Sequence, residues 1–291
     1  MLVHIKDIVG QTEKKHYAVG AFNIHNLETV LGVARAAVRA KSPAIIQVSE
    51  GAIEYMGLKV IINIVSIVAK DLAASVPIAL HLDHGKSFES VFECIKAGFS
   101  SVHIDASGLP LTENIMLTKK VVEIAHEKGV WVQGEVGAII GGHGKLGGKI
   151  SDIPIAKADD VVQFVKETKV DTIAAAIGTA HGVYKNEDIN IPLLVEIKSR
   201  TKKPFVLHGG SGVAQKKIKA AIKAGVNIIN IGSDIKIAFS KTLIDDCLRN
   251  RTETDPRLLL KPTIRAVEEV VVKSMKLFNS EGQMVIDRIE T

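Results

Sequence analysis

Cysteine is scarce: Cys94 and Cys247 are the two in 291 residues, and no CxxC spacing joins them. A disulfide framework and a thiolate metal cluster are therefore excluded, and both side chains are read as buried thiols. Aromatic residues make up only 4%. Lysines and arginines are scattered through helical windows instead of striped among aromatics, so no nucleic-acid partner is expected. Long apolar runs are missing as well. The most apolar stretch, Val60 to Ala69, is too short for a bilayer and is broken by Asn63 and Ser66. No basic-then-apolar leader opens the sequence, and a cytoplasmic protein without a membrane partner is expected. Net charge is small too: 37 basic and 32 acidic side chains leave +5, which is compatible with a small anionic substrate.

What the chain does contain is Val, Ile, Ala and Leu, within a hydrophobic fraction of 46%. That branched set suits parallel strands covered by helices. Eight short apolar runs recur: Val19 to Asn23, Ala44 to Ser49, Ile78 to Asp83, Ser101 to Asp105, Val130 to Glu135, Thr172 to Ile177, Pro204 to His208 and Asn227 to Ile231. Between them, windows such as Leu27 to Ala40, Val60 to Ala74, Glu113 to Lys128, Asp159 to Thr168 and Gln215 to Ala224 repeat apolar residues at helical spacing. An open doubly wound sheet also alternates in this way, but eight units with no linker favour a closed (β/α)8 TIM barrel, a fold that commonly takes about 250 residues. The expectation is one domain over residues 1–291, with an N-terminal helix from Val3 to Lys15 on the barrel floor. A C-terminal helical extension, Lys236 to Arg249 and Ile264 to Phe278, precedes a loose tail from Asn279.

Polar residues gather where strands end: Asn23, Ser49, Asp83 with His84, Asp105, Glu135, His181, His208 and Asn230. In a barrel those ends share one rim, the rim that carries active sites. Asn23 and Asp105 taken singly serve equally well as helix caps or turn residues. His84, His181 and His208 each follow a strand and precede glycine, and three imidazoles from separate strands suit a zinc ion with an open position. His4, His16, His25, His103 and His126 are read as satisfied structural histidines. Strand alternation sends Asp83 and His84 in different directions, which leaves Asp83 either as an acid or base or as a carboxylate orienting a ligand histidine.

The seventh and eighth strand ends, Gly209-Gly210-Ser211-Gly212 and Asn230 to Asp234, offer backbone N–H groups, hydroxyls and a helix start. Together they make an anion nest of the kind that holds phosphate. The third glycine of a dinucleotide fingerprint is missing, and Leu146 after Gly144-Lys145 rules out a P-loop. The glycine-dense run from Gly137 to Gly148 reads as a mobile lid or simply a loose loop.

In their order and intervals, His81-Leu82-Asp83-His84-Gly85, Gly178-Thr179-Ala180-His181-Gly182, Leu207 to Gly212 and Asn230 resemble the class II, metal-dependent ketose-bisphosphate aldolases. That group includes fructose- and tagatose-bisphosphate aldolases and a related enzyme of inositol catabolism. The resemblance runs from about His16 to Gly282 and takes in Ala21-Phe22-Asn23, Gln47-Val48-Ser49 and Asp255-Pro256-Arg257. It implies cleavage of a phosphorylated ketose to dihydroxyacetone phosphate and an aldehyde. His84, His181 and His208 would hold Zn2+, with Glu135 and Asp105 beside the metal and Asp83 moving the proton of the C4 hydroxyl. Gly182, Gly209, Ser211, Asn230 and Ser233 match positions around the phosphate of the dihydroxyacetone phosphate half, Ser49, Lys185 and Arg257 match the far phosphate site, and Asn23 is a further substrate-binding position. The resemblance further implies a monovalent cation, Na+ or K+, near the first phosphate. Arg257 would reach in from a neighbouring subunit of a homodimer or homotetramer.

Two departures stand out. His143, Gly144 and Lys145 occupy the region where family members carry the acidic residues credited with moving the proton of the three-carbon fragment, so the proton carrier is open and His143 is a candidate. Gly232 replaces the Asp of fructose-specific relatives, and Lys236 replaces Arg. Competing readings are a phosphosugar-binding barrel that has lost catalysis, an aldolase for a phosphorylated sugar acid, and a metal-dependent hydrolase or epimerase.

Overall fold

A computed structural model describes residues 1–139, 141–146, 153–184 and 188–284. Ten strands lie along them: β1 (Val19–Asn23), β2 (Ala44–Ser49), β3 (Ile78–Gly85), β4 (Ser101–Ile104), β5 (Trp131–Val136), β6 (Gly141–Leu146), β7 (Thr172–Ala175), β8 (His181–Val183), β9 (Phe205–Leu207) and β10 (Val226–Ile231). Eight of these close into a parallel barrel in the order β1-β10-β9-β7-β5-β4-β3-β2, with helices between successive strands, and β6 pairs separately with β8. The chain is a single-domain TIM barrel.

Why strands appear at these positions follows from side-chain parity. In a strand, successive side chains face opposite ways. Val19 and Ala21 of β1, Ile45 of β2, Ala79 of β3, Ala174 of β7, Val206 of β9 and Ile228 of β10 point inward to one cluster. Their sequence neighbours Phe22, Ile46, Leu80, Ile173, Leu207 and Ile229 point outward to the cluster under the helices. Both faces are covered, which explains why the runs lack alternation between apolar and polar.

The inward cluster closes at the floor. Ile5, Ile8, Val9 and Tyr17 pack against it, contributed by two short helices, Ile5–Val9 and Thr12–Lys15, with a break at Gly10 and Gln11. Above the floor, the same inward parity continues into polar residues: Asn23, Gln47, His81, Asp83, Ser101, His103, Gln133, Glu135, His208 and Asn230 are all buried. The upper half of the barrel is thus polar and the lower half apolar. Helix Pro256–Leu277 packs along Leu27–Ala40 and Ser233–Arg249, and Gly32 sits where an added Cβ would stand 2.6 Å from Val267.

Three expectations need correction. Cys247 is exposed, unlike Cys94, because it lies near the C-terminus of helix Ser233–Arg249, whose buried residues, Ser233 and Ile235, are both in its first turn. Within the glycine-dense run, Gly141–Leu146 is a strand beside β8 and not a free loop. The helix expected from Val60 to Ala74 begins at Leu58 and changes to a π-helical turn, Val68–Leu72.

Candidate metal centre at the barrel mouth

Asp83 and His84 are the clearest case of local geometry overriding a pattern. Alternation should send His84 outward. Instead the β3–β4 register shifts between Leu82 and Gly85, and His84 takes a left-handed φ of 51°, a costly conformation for a residue with a Cβ. Both side chains now face the mouth, with Asp83 Oδ1 3.7 Å from His84 Nε2. The neighbouring Gly85 allows this: a Cβ there would stand 2.8 Å from His103 O.

The His84 ring centroid lies 4.8 Å from that of His181 and 4.7 Å from that of His208, and His181 and His208 are 5.9 Å apart. Three imidazoles distant in sequence thus converge. His181 comes from β8, reached after a turn at Gly178, whose φ is 106° and which abuts Asp188 O. His208 follows β9 and precedes Gly209, which sits at φ 66° against Ala180 O. Only a residue without a side chain fits that approach.

Carboxylates flank the rings. Asp105 Oδ2 is 2.6 Å from His84 Nδ1, which fixes the ring and leaves Nε2 directed at the mouth. Asp105 also accepts from the backbone N–H of Ser107, so both of its readings hold at once. Glu135 Oε1 accepts from Ser107 Oγ at 3.0 Å, while Oε2 makes no hydrogen bond and stands 3.9 Å from both His103 Nε2 and His208 Nε2. Asp83 is held by amides. Gln47 Nε2 donates to Asn23 Oδ1 at 2.9 Å, Asn23 Nδ2 donates to Asp83 Oδ2 at 2.7 Å, and Asn230 Nδ2 approaches Asp83 Oδ1 at 3.5 Å. Asn23 is therefore not a helix cap; Asn26 fills that role.

The charges match a cation. Burial raises the Glu135 carboxyl to about 8, helped by Asp105. Burial keeps His208 neutral, with one ring nitrogen able to accept, and His84 pushes it further down. Burial also opposes a charge on His84, but Asp83 and Asp105 outweigh it and hold a proton there in the metal-free protein, a proton that a bound cation would displace. Asp83 likewise resists burial through His84 and Asn23 and stays below the usual carboxylate range. A buried carboxylate oxygen without a partner, among imidazoles at 3.9 Å, fits a divalent ion that accepts N and O donors. Two overlapping sets of four donors gather within 4.8 Å: Asp83, His84, His103 and His208, and His84, His103, Asp105 and Glu135.

A cleft opens above this cluster. Asn23, Asp83, His84, His181 and His208 line it together with Gly182, Gly209, Ser211, Asn230, Gly232 and Ser233. Ser211 Oγ accepts from the backbone N–H of Asp234, tying the glycine loop to the first turn of helix Ser233–Arg249, whose positive end faces the cleft. Lys236, on the same turn, is half-buried; burial lowers its ammonium pKa against the pull of Asp83. Ser49 caps helix Glu50–Met56 at the rim, outside this cleft. Arg257 is 88% exposed and paired with Asp255, also away from the cleft. Lys185 lies outside the described residues, and His143 falls in β6, described here by its backbone.

Sequence reasoning missed His103, Gln47 and Gln133, whose side-chain Nε2 donates to His208 Nε2 at 2.7 Å. The signal was present: Ser101, His103 and Asp105 alternate with apolar Val102 and Ile104, and such a strand turns its polar residues inward.

Comparison with known proteins points to one family. The family model for class-II fructose-bisphosphate aldolase matches residues 3–283. The fructose-bisphosphate aldolase of Geobacillus stearothermophilus is 39% identical, over 97% of this chain and 98% of its own. A 6-phospho-5-dehydro-2-deoxy-D-gluconate aldolase of Bacillus velezensis is 37% identical over 99% of each. The crystal structure of the YdjI aldolase from Escherichia coli K12 superposes with a TM-score of 0.83 at 30% identity, covering 98% of this chain and all of that one. With the family model matched over residues 3–283 and relatives aligned over nearly all of it, the chain belongs to the class II fructose-bisphosphate aldolase family.

Proposed function

We propose that this metal-dependent aldolase holds zinc between His84, His181 and His208 and cleaves a ketose bisphosphate between C3 and C4. The observation that carries the reading is the convergence of those three rings, 4.7 to 5.9 Å apart, beside a buried and oriented Asp83. Asp83 takes the proton of the C4 hydroxyl, that oxygen becomes the carbonyl of the departing aldehyde, and the electron pair of the broken bond stays on C3. When bound, zinc supplies Lewis-acid stabilisation for that developing charge. Asn23 and Gln47 keep Asp83 aimed during the transfer, and Asn230 closes its other side.

Gly182, Gly209, Ser211, Asn230 and Ser233 receive the phosphate of the dihydroxyacetone phosphate half, with Na+ or K+ nearby. Ser49, Lys185 and Arg257 serve the far phosphate, Arg257 crossing from a second subunit of a homodimer or homotetramer. Two anchored phosphates convert remote binding into orientation at the scissile bond. The absence of Asp at position 232 leans away from strict fructose specificity and does not identify the sugar. Among the described residues, no single helix is long and apolar enough to cross a membrane, and the cytoplasm is the proposed compartment.

The test is a substrate panel. Zinc-loaded protein is incubated with fructose 1,6-bisphosphate, tagatose 1,6-bisphosphate and a phosphorylated 2-deoxy sugar acid, and triose phosphate release is followed. Release from a ketose bisphosphate supports the reading and identifies the sugar; release from the sugar acid alone replaces the substrate, and binding without release refutes catalysis.

A further inference from the structure

His103 lies on the inward face of β4, fully buried, with its ring centroid 4.8 Å from His84 and 5.3 Å from His208. Proximity alone would make it one more ligand. Its hydrogen bonding argues otherwise. The backbone N–H of His84, placed by the left-handed turn at that residue, donates to His103 Nδ1 at 3.3 Å. A ring nitrogen that accepts carries no proton, so the neutral imidazole bears its hydrogen on Nε2. A protonated nitrogen has no lone pair for a cation.

His103 Nε2–H is therefore a donor, and it makes no hydrogen bond. Facing it at 3.9 Å stands Glu135 Oε2, an equally buried oxygen that makes none either and that accepts once the carboxyl is ionised. The second oxygen of the carboxylate is anchored by Ser107 Oγ at 3.0 Å and the Ile139 N–H at 3.3 Å. Oε2 is the atom left to move. It is also 3.9 Å from His208 Nε2, so it stands midway between a donor and a proposed zinc ligand. A small rotation closes one gap or the other.

We infer that His103 is a positioning residue whose Nε2–H draws Glu135 Oε2 away from the zinc position, leaving coordination sites open for substrate oxygens. The inference rests on the proposed zinc site. Its consequence has an unusual sign. Removing a metal ligand weakens metal binding, and removing an ordinary neighbour that orients a ligand weakens it by about 10–100-fold. Removing His103 leaves Oε2 only the cation to satisfy it, so Glu135 becomes a resident ligand: zinc binds more tightly, and turnover falls because substrate finds its position filled.

The experiment compares the zinc-loaded full chain with His103→Leu, which keeps volume without a donor, and His103→Gln, which restores an N–H at similar reach. Zinc affinity is read by competition with a chromogenic chelator, and kcat and KM are measured separately. Leu should tighten zinc binding by about tenfold, the scale on which one neighbouring partner acts, and lower kcat with KM nearly unchanged. Gln should return both toward the parent values. Weaker zinc binding in the Leu variant, or no change in either quantity, overturns the inference. Should Leu fail to fold, nitrogen-15 spectra of the unaltered zinc protein decide: a proton on His103 Nε2 supports it, and a metal-bound Nε2 with the proton on Nδ1 overturns it. An unaltered protein that binds no zinc instead removes the proposed function, and this inference with it.

Discussion

Replacing Asp83 by Asn keeps the outline of the side chain and removes both its charge and its capacity to take a proton. Two donors face that carboxylate, Asn23 Nδ2 at 2.7 Å and Asn230 Nδ2 at 3.5 Å. The new amide can offer its oxygen to Asn23, but its NH2 then faces Asn230. One buried polar contact is lost, a stability cost of about 1–3 kcal/mol. The catalytic cost is larger. A positioned general base contributes about 10²–10⁴-fold, which at about 1.36 kcal/mol per decade is roughly 3–5 kcal/mol of barrier. His84, His181 and His208 are untouched, so zinc content stays at the parent level. The assay couples release of dihydroxyacetone phosphate to its reduction by NADH, with zinc content measured on the same sample. Turnover within about tenfold of the parent in zinc-replete Asp83→Asn would refute Asp83 as the proton acceptor.

Gln47→Leu leaves the buried Asn23 Oδ1 without its donor; kcat should fall by about tenfold with KM nearly constant, as one lost hydrogen bond to an orienting residue predicts. Gly209→Ala places a Cβ 2.4 Å from Ala180 O at φ 66°, so a melting curve should show a loss of at least about 1–3 kcal/mol together with weaker zinc binding. The buried Glu135 has a folded-state pKa of about 8 against an ordinary 4.5. A group raised in this way contributes stability that is complete below its ordinary pKa and is lost as pH climbs through the raised value. In metal-free protein, denaturant titrations should therefore show the parent losing stability relative to Glu135→Gln between about pH 5 and 8; parallel curves would contradict the assignment.

Much of this architecture could be read from residues alone, and the successes share a cause. β1, β2 and helix Leu27–Ala40 have the expected bounds because burial on both faces writes itself into continuous apolar runs and helical spacing. His84, His181 and His208 were visible because each precedes a glycine that the backbone needs, His84 and His208 at the ends of β3 and β9 and His181 at the start of β8. What escaped notice depends on register. His103 was passed over as a structural histidine, although inward parity places it with Ser101 and Asp105. The shared orientation of Asp83 and His84 escaped for the opposite reason: a bulge and one left-handed residue undo the alternation, and neither leaves a mark in composition. The strand at Gly141–Leu146 pairs with β8 through its backbone, which a glycine-rich sequence does not advertise.

Metal dependence is the claim on which the rest stands. The chain is dialysed against a strong chelator until zinc is gone, cleavage of the preferred ketose bisphosphate is measured, and zinc is then returned. Activity should disappear and come back in proportion to zinc bound, reaching its maximum at one ion per chain. Undiminished cleavage by the zinc-free protein, or trapping of a covalent substrate adduct by borohydride, would contradict it.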